Sequence, residues 1–314
     1  EMARVNAPPL LNHVGVRMVA PTLLHFGTGA QKKRYLNKML NNEEIWCQGF
    51  SEPNAGSDLA ALQTRAEKKG DKWIINGQKI WTSHAQYADF CFLLARTKKT
   101  KKKHEGITAF ILPLKQDGVE IRPIRSMNDQ PHFNEIFLND AVACDDDIVG
   151  ELHRGWGVSI ALLSFERVGV GRQLFKMEQI MEQLIRLAGT LQKNGKPLME
   201  DELVRVRLFD LRTRTKAYLL NYYRHLTETI RTGRPGPKGS LDKLAASELL
   251  KEIYACAMSM HGAFGSLWKT SALIDPSWQY EFLYSYCLTI AGGSSEIQRN
   301  IIGERLLGLP KDLK

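Results

Sequence analysis

The chain has 314 residues, which is enough for two or three domains of ordinary size. Hydrophobic residues make up 43% of it and charged residues 25%, a globular composition that excludes a disordered chain. There are 43 Lys and Arg against 34 Asp and Glu, an excess that favours an anionic partner such as a phosphorylated cofactor. The longest uninterrupted apolar runs, such as Phe90–Ala95, are far shorter than the ~20 residues that cross a membrane.

Much of the positive charge lies in one run, residues 98–103, which is lysine except for Thr100. This run predicts a solvated loop between two strands. It lacks the interleaved aromatic residues of a nucleic-acid patch, so we expect no nucleic-acid partner. The five cysteines are widely spaced, with no Cys-x-x-Cys pair. That spacing favours a reducing compartment over a disulfide framework, and it predicts no metal site.

The first 45 residues are predicted to be helical. Apolar residues recur near helical spacing from Leu10 to Leu23, with Pro21 as an interruption, and Ala30–Leu40 has the pattern of a second helix.

The next region, residues 46–152, is predicted to be a β domain. Gly70-Asp71 predicts a turn, and Asn76-Gly77 predicts a hairpin that leads into Gln78–Trp81. The other predicted strands are Lys72–Ile75, Phe90–Ala95, Ile107–Leu112, Val119–Pro123 and Phe133–Leu138. Strands at this spacing, without helices between them, indicate a small antiparallel barrel or sandwich.

Residues 153–314 are predicted to form a helical bundle. Long apolar-periodic segments separated by short breaks are typical of that architecture. The predicted helices are Gly155–Ala188, Glu202–Thr232, Leu241–Phe264 with Ser240 as its N-cap, and Glu296–Leu307. We therefore expect three domains, at residues 1–45, 46–152 and 153–314.

Three segments carry a resemblance to a known family. Ser51–Asp58 is a polar turn after a strand, and such turns offer backbone N–H groups and hydroxyls to an anion or a planar heterocycle. Together with Gly77–Ser83 and Gly292–Ile302, and in this order, it resembles the acyl-CoA dehydrogenase family. The resemblance implies an α+β multidomain fold with a helical N-terminal part, a β-barrel middle domain and a C-terminal four-helix bundle. The family's N-terminal domain is longer than residues 1–45, so we expect this sequence to be truncated.

The resemblance also implies the chemistry. Family members are flavoprotein oxidoreductases of fatty acid β-oxidation, which use FAD to convert an acyl-CoA thioester into a trans-2-enoyl-CoA. A base takes the α-proton and flavin N5 takes a hydride. We expect an electron-accepting flavoprotein as partner, a homodimer or homotetramer, and a cytoplasmic location, or the mitochondrial matrix in a eukaryote.

Two alternatives stay open. The chain could be a catalytically silent, FAD-holding subunit of a hetero-oligomer, or a flavin oxidase of the same fold. A related group with glycine at the position of Gly292 acts on sterol side chains, sometimes as paired unlike subunits.

The cofactor residues are carried over from the resemblance. Ser51 corresponds to a hydroxyl near flavin N5, and Trp81 corresponds to the residue that packs on the ring. The family's pyrophosphate arginine is absent, and Arg205 or Arg207 could replace it. The predicted cofactor-binding residues are Gln48, Phe50, Ser51, Ser57, Trp81, Thr82, Ser83, Ser294 and Arg205. Ser57 also corresponds to a residue that contacts CoA.

The predicted catalytic base is Glu166. Many family members place the glutamate where this chain has Gly292, but a second subgroup places it directly before an arginine, as in Glu166-Arg167. The residues three and four positions away are Leu162, Leu163, Gly169 and Val170. This apolar stripe would raise the pKa of a carboxyl group, as abstraction of an α-proton requires. Arg167 corresponds to a residue near bound CoA, and Glu296 is the poorer candidate for the base.

Overall fold

The computed structural model describes residues 7–8, 10–168, 171–233, 236–267 and 275–311, except for the side chains of residues 167, 168, 171 and 172. Contacts divide the chain into two units, one within Pro9–Glu166 and the other within Glu1–Pro8 and Arg167–Lys314.

The first unit begins with helices. A π-helical turn, Gly15–Val19, leads into α1, Ala20–Phe26, and α2 follows at Gly29–Leu40. A capping box starts α2, because the Thr28 hydroxyl accepts from the Gln31 amide at 3.1 Å and the Gln31 side chain accepts from the Thr28 amide at 3.0 Å. The predicted second helix is therefore confirmed.

One sheet of eight strands dominates the described part of this unit. The strands are β1 (Trp46–Gly49), β2 (Arg65–Lys69), β3 (Lys72–Ser83), β4 (Phe90–Arg96), β5 (Ile107–Pro113), β6 (Val119–Ile124), β7 (Phe133–Cys144) and β8 (Ile148–Val149). Their order is β6-β7-β3-β2-β4-β5-β8, with β1 on β4. Most pairs are antiparallel, as predicted, but β1 and β2 each run parallel to β4.

Both faces of the central strands are covered by apolar side chains. Phe92 and Leu94 of β4 face the cluster that includes the N-terminal helices, whereas Cys91 and Leu93 face a second cluster with Trp73 of β3. A strand buried on both faces needs a continuous apolar run. This explains why Phe90–Ala95 has no alternation of polar and apolar residues.

The hairpin predicted at Asn76-Gly77 is wrong, because β3 runs through these residues from Lys72 to Ser83. The Asn76 side chain instead bonds Asp140, where β7 carries an extra residue. Its Nδ2 donates to Asp140 Oδ1, and its Oδ1 accepts from the Asp140 backbone amide, both at 2.9 Å. A Cβ at residue 77, where φ is 154°, would lie 2.4 Å from Thr64 Oγ1. Glycine is present for close packing and not for a turn.

A single guanidinium organises the lysine-rich loop between β4 and β5. Arg96 donates to the carbonyl oxygens of Ala60 at 2.8 Å and Leu62 at 3.2 Å, in the segment that precedes β2. It also donates to those of Lys103 at 3.2 Å and Glu105 at 3.1 Å, near the C-terminal end of the loop. The loop is therefore exposed, as predicted, but it is fixed at its base.

The second unit is helical. Its elements are α3 (Gly155–Val168, which begins in the first unit), α4 (Gly171–Thr190), α5 (Glu202–Thr232), α6 (Gly239–Met260), α7 (Pro276–Leu288) and α8 (Ser295–Arg305), with a short hairpin of β9 (Gln192–Lys193) and β10 (Lys196–Pro197). The bounds predicted for α5 are confirmed. Apolar side chains of α4, α5, α6 and α7 form one core, which includes Leu184, Leu211, Ile253 and Trp278.

One prediction for this unit is wrong, and one helix was missed. Ser240 is not an N-cap: it lies inside α6, fully buried, and its hydroxyl has no hydrogen-bond partner among the described residues. Helix α7 was not predicted, although its start carries a recognisable signal. Asp275 accepts from the Ser277 amide at 2.9 Å and Pro276 occupies the first turn.

No helix within the described ranges is both long and apolar enough to span a membrane.

Candidate functional site

The structure brings two of the predicted flavin segments side by side. The Ile80 amide on β3 donates to the Ser51 carbonyl oxygen at 2.9 Å. Trp81, the next residue of β3, therefore lies beside Ser51, although the two are separated by 30 positions in the chain. The side chain of Ser51 is half-buried and is not enclosed by the protein.

Trp81 has an unusual backbone and an unusual exposure. Its φ is 60°, in the left-handed region that bulky residues rarely adopt. The pairing of β3 with β7 shifts between Lys79 and Thr82, so Trp81 occupies an extra position in β3. Its side chain is 57% exposed, and its one ring contact within the described chain is edge-on to Phe133, at 6.2 Å between centroids. Strain of this kind concentrates at binding sites, and a large exposed indole is available to a planar ligand.

The residues after Trp81 are less accessible. Thr82 is 1% exposed, and its hydroxyl has no hydrogen-bond partner in the part of the chain that the structure describes. Ser83 is half-buried at the end of β3. A buried hydroxyl without a partner is costly unless a ligand or water satisfies it. Together, the exposed indole and the unsatisfied hydroxyl fit the apolar face and the polar edge of a flavin ring.

The remaining predicted residues of this segment lie at different depths. Gln48 is half-buried on β1, opposite Phe92 of β4. Phe50 is only 4% exposed and packs against Phe92, which gives it a core position. Ser57 is exposed, in the turn next to Asp58, whose carboxylate binds Lys103 at 2.6 Å.

A buried ion pair beneath these residues was not predicted. Lys79 is fully buried, and its ammonium group lies 2.8 Å from the Glu52 carboxylate. Burial alone would raise the pKa of Glu52, but the Lys79 charge and hydrogen bonds from Lys79, Thr64 and Gln63 outweigh it and lower that pKa. No local pattern indicates this pair, because Lys and Glu are usually solvated and these two residues are 27 positions apart.

Glu166 lies near the end of the described part of α3. Leu162, one turn earlier, is fully buried, and Leu163 is partly buried against the same core. Phe165 stacks on His25 of α1 at 5.7 Å with an interplanar angle of 10°. Glu166 itself is half-buried. The surroundings of Glu166 are therefore partly apolar, as its predicted role as the catalytic base requires.

The remaining predictions near Glu166 cannot be placed. Gly169 and Val170, predicted to continue the apolar stripe, lie outside the described residues. The side chain of Arg167, predicted to contact CoA, is also outside the described part.

The C-terminal signature forms a fixed loop in the second unit. Gly292 and Gly293 have φ values of 65° and 94°. The Gln298 side-chain amide donates to both carbonyl oxygens, at 3.0 and 3.1 Å, and Lys243 Nζ donates to that of Gly293 at 2.8 Å. Ser294 is the N-cap of α8, and its hydroxyl accepts from the Ile297 amide at 3.4 Å.

Glu296 has the properties of a surface residue. Its side chain is 76% exposed and lies 3.6 Å from the Arg299 guanidinium. Hydrogen bonds from its own backbone amide and from Ser294 lower the pKa of Glu296. A base for an α-proton needs a raised pKa, so these surroundings do not favour Glu296.

The two arginines considered for the pyrophosphate are engaged within the second unit. Arg205 Nη1 donates to the Glu200 carbonyl oxygen at 2.9 Å, and Arg207 Nη2 lies 3.1 Å from the Glu252 carboxylate. Both remain on the exposed surface of α5.

Comparison with known families gives two matches that together span most of the chain. Residues 47–141 match the family described as "Acyl-CoA dehydrogenase, middle domain". Residues 153–307 match "Acyl-CoA dehydrogenase, C-terminal domain". The first match contains Ser51–Asp58 and Gly77–Ser83, and the second contains Glu166 and the whole of Gly292–Ile302.

Individual relatives agree with these matches. The chain is 41% identical to acyl-CoA dehydrogenase IpdE1 of Mycolicibacterium smegmatis, over 100% of this chain and 80% of the relative. A solved structure described as the Tcur3481-Tcur3483 steroid ACAD variant has a TM-score of 0.88 and 28% identity, over 96% of this chain and 78% of the other. The ChsE4-ChsE5 complex from Mycobacterium tuberculosis has a TM-score of 0.86 and 30% identity, over 99% and 80%.

Proposed function

The chain belongs to the acyl-CoA dehydrogenase family, and on that premise we propose that it converts an acyl-CoA thioester into a trans-2-enoyl-CoA with FAD as its cofactor. The observation that carries the proposal is Trp81: its side chain is exposed, its backbone is in the left-handed region, and it lies beside Ser51. The register shift in β3 places the residue, but core packing does not account for an indole that stays this exposed. A planar ligand does account for it, since stacking on the ring would repay the backbone strain.

Each group of residues has a separate role in this proposal. Trp81 would pack on the flavin ring, while Ser51 and Thr82 would bond its polar edge. FAD, when bound, supplies the acceptor that takes the β-hydrogen as hydride. Gln48, Ser83, Ser294 and Arg205 complete the proposed cofactor contacts, and Ser57 and Arg167 the proposed contacts with CoA.

Glu166 is the proposed base. Its carboxylate takes the α-proton of the thioester, so that the electrons of the broken C–H bond enter the new double bond as the β-hydrogen leaves. A thioester α-proton is a weak acid, and a partly desolvated carboxylate is a stronger base than a solvated one. Leu162, one turn earlier on the same face of α3, is fully buried, which supports a partly apolar surrounding for Glu166.

We propose a steroid-derived acyl group as the substrate class. The support is the likeness to a solved structure described as a steroid ACAD, which extends over almost the whole chain. An electron-accepting flavoprotein would then reoxidise the cofactor.

The surface of α5 supports assembly with another subunit. Six apolar residues on this helix are 44–80% exposed: Leu203, Val206, Phe209, Leu220, Tyr223 and Ile230. Four of them, Val206, Phe209, Leu220 and Tyr223, lie within about 100° of one another around the helix, because they are three, eleven and three residues apart. An exposed apolar stripe of this length indicates a protein interface. We propose that a second copy of this chain covers it.

The experiment is purification of the full-length protein, followed by absorbance spectroscopy and anaerobic mixing with acyl-CoAs. We expect a yellow oligomer that releases FAD on denaturation. A steroid-derived acyl-CoA should bleach the oxidised flavin band faster than a straight-chain acyl-CoA does. FMN, no flavin, or no bleaching with either substrate would contradict the proposed function. Bleaching only after co-expression with a homologous chain would instead identify a subunit of a hetero-oligomer.

A further inference from the structure

The buried ion pair between Lys79 and Glu52 connects three separate segments of the chain. Lys79 Nζ donates to the Phe50 carbonyl oxygen at 3.1 Å and to Glu52 Oε1 at 2.8 Å. The Glu52 carboxylate also accepts from the backbone amides of Thr64, at 2.9 Å, and Gln63, at 2.5 Å. The pair therefore joins the segment at Phe50–Glu52, the two residues that precede β2, and the centre of β3.

The charges are as deeply buried as any in the described chain. The side chains of Lys79 and Glu52 are 0% and 6% exposed. Removing two charges from water costs energy that their mutual attraction rarely exceeds, so apolar residues of similar size often give equal or greater stability. An ion pair at such a position is therefore a poor choice for stability alone, but its directional bonds can fix a geometry that apolar packing would leave loose.

The geometry that the pair fixes is that of Ser51 and Trp81. Lys79 is the last residue of β3 to pair with β7 before the register shift that contains Trp81. On the opposite segment, Ser51 lies between the carbonyl oxygen that accepts from Lys79 and the residue that carries the counter-ion. The Ile80 amide bonds the Ser51 carbonyl oxygen between these anchors. A shift of either anchor would move the Ser51 hydroxyl relative to the Trp81 ring.

We propose that Lys79 and Glu52 are positioning residues for flavin recognition, which hold Ser51 and Trp81 in register while contributing little to the stability of the fold. The inference rests on the proposed function, because it requires that Ser51 and Trp81 contact the flavin. Neither Lys79 nor Glu52 needs to reach the cofactor itself.

The test is the neutral double variant Lys79→Met/Glu52→Gln in the full-length protein. Gln keeps one of the two oxygens that accept from the backbone amides at residues 63 and 64, and Met keeps the length of the lysine stem. We expect the dissociation constant of the apoprotein for FAD to rise by at least ~10-fold, which corresponds to about 1.4 kcal/mol. The vibrational shoulders of the bound flavin's visible band should also broaden. The melting temperature of the apoprotein should change by no more than about 4 °C.

The matched control is Lys68→Met/Asp145→Asn, which neutralises an exposed ion pair at 2.6 Å in the same unit. It should leave the affinity for FAD and the flavin spectrum unchanged. The single variants Lys79→Met and Glu52→Gln should lower the apoprotein melting temperature more than the double variant does, because each leaves one buried charge without its partner.

Three outcomes would overturn the inference: wild-type affinity and spectrum in a folded double variant, a double variant that does not fold, or an equal effect in the control. Absence of FAD binding by the wild-type protein is a different result. It would refute the proposed function before any variant is compared.

Discussion

The side-chain amide of Gln298 and the backbone of Gly293 constrain each other. Gln298 Nε2 donates to the Gly293 carbonyl oxygen at 3.1 Å, and a Cβ added at residue 293 would lie 2.6 Å from the same nitrogen. Because Gln298 is fully buried, it cannot move aside without losing its bonds to this loop.

Gly293→Ala should therefore lower the free energy of unfolding by about 2 kcal/mol or more, from the left-handed φ of 94° and the lost hydrogen bonds together. Chemical denaturation of the two proteins measures the difference. The control is Gly195→Ala, where φ is also positive, at 76°, but a Cβ would meet no atom within 4 Å. An equal cost at both positions would show that the contact with Gln298 contributes nothing.

Glu166→Gln should slow the reduction of bound flavin by at least ~10²-fold, the contribution typical of a positioned general base. Glutamine keeps the size of the side chain and the helix propensity, so FAD content and melting temperature should change little. Rapid-mixing absorbance with an acyl-CoA that the wild-type protein oxidises measures the rate. Glu296→Gln is the control, because that side chain is 76% exposed, and it should reduce flavin almost normally. Normal reduction in folded Glu166→Gln protein would place the base elsewhere.

Trp81→Ala should weaken FAD binding by ~10-fold or more, since loss of the indole removes stacking and buried apolar area. The apoprotein should keep its melting temperature, because more than half of the indole is exposed. Fluorescence titration with FAD measures the affinity. Tyr87→Ala provides the comparison: its ring is 56% exposed in the same unit but is not among the predicted flavin contacts. Equal losses of affinity in both variants would argue against a specific role of Trp81.

Stability should depend on pH through His13. Burial, with smaller contributions from His84 and Arg17, lowers the pKa of His13 to about 4 in the folded protein. In the unfolded chain its pKa is ~6.5. Between these values the unfolded chain holds a proton that the folded protein lacks. The free energy of unfolding should therefore rise with pH across this window, by up to about 1.4 kcal/mol per unit, and this contribution is lost as the pH falls from 6.5 to 4.

His13→Gln should remove that part of the slope. Urea denaturation of both proteins at several pH values between 4 and 7 measures it, and the carboxylates contribute equally to both curves. Parallel curves for the two proteins would mean that His13 titrates normally in the fold.

Most of the regular structure could be predicted because it depends on local patterns. The apolar run at β4 and the periodicity of α5 are readable within a few residues, and both elements form where predicted. The hairpin at Asn76-Gly77 fails because a distant residue, Thr64, packs against Gly77, and no local pattern contains that contact.

The candidate site likewise contains residues that local sequence motifs indicate and residues that they do not. Ser51 and Trp81 belong to sequence motifs that were predicted to share one site, and the structure lays the backbones of the two segments side by side. The ion pair of Lys79 and Glu52 could not be predicted, because its residues are charged, far apart in the chain and buried only once the sheet has formed.

The Arg96 contacts bear on how the chain tolerates cutting and insertion. The lysine run offers trypsin an exposed target, but its two flanks are held together by β4–β5 pairing and by Arg96 on one flank, whose guanidinium binds the Glu105 carbonyl oxygen on the other. A cut between Lys99 and Lys101 would therefore leave both fragments in place, and the nicked protein would elute as an intact one. The same position would accept an inserted peptide tag, which makes this loop a practical site for labelling the molecule without disturbing the sheet beneath it.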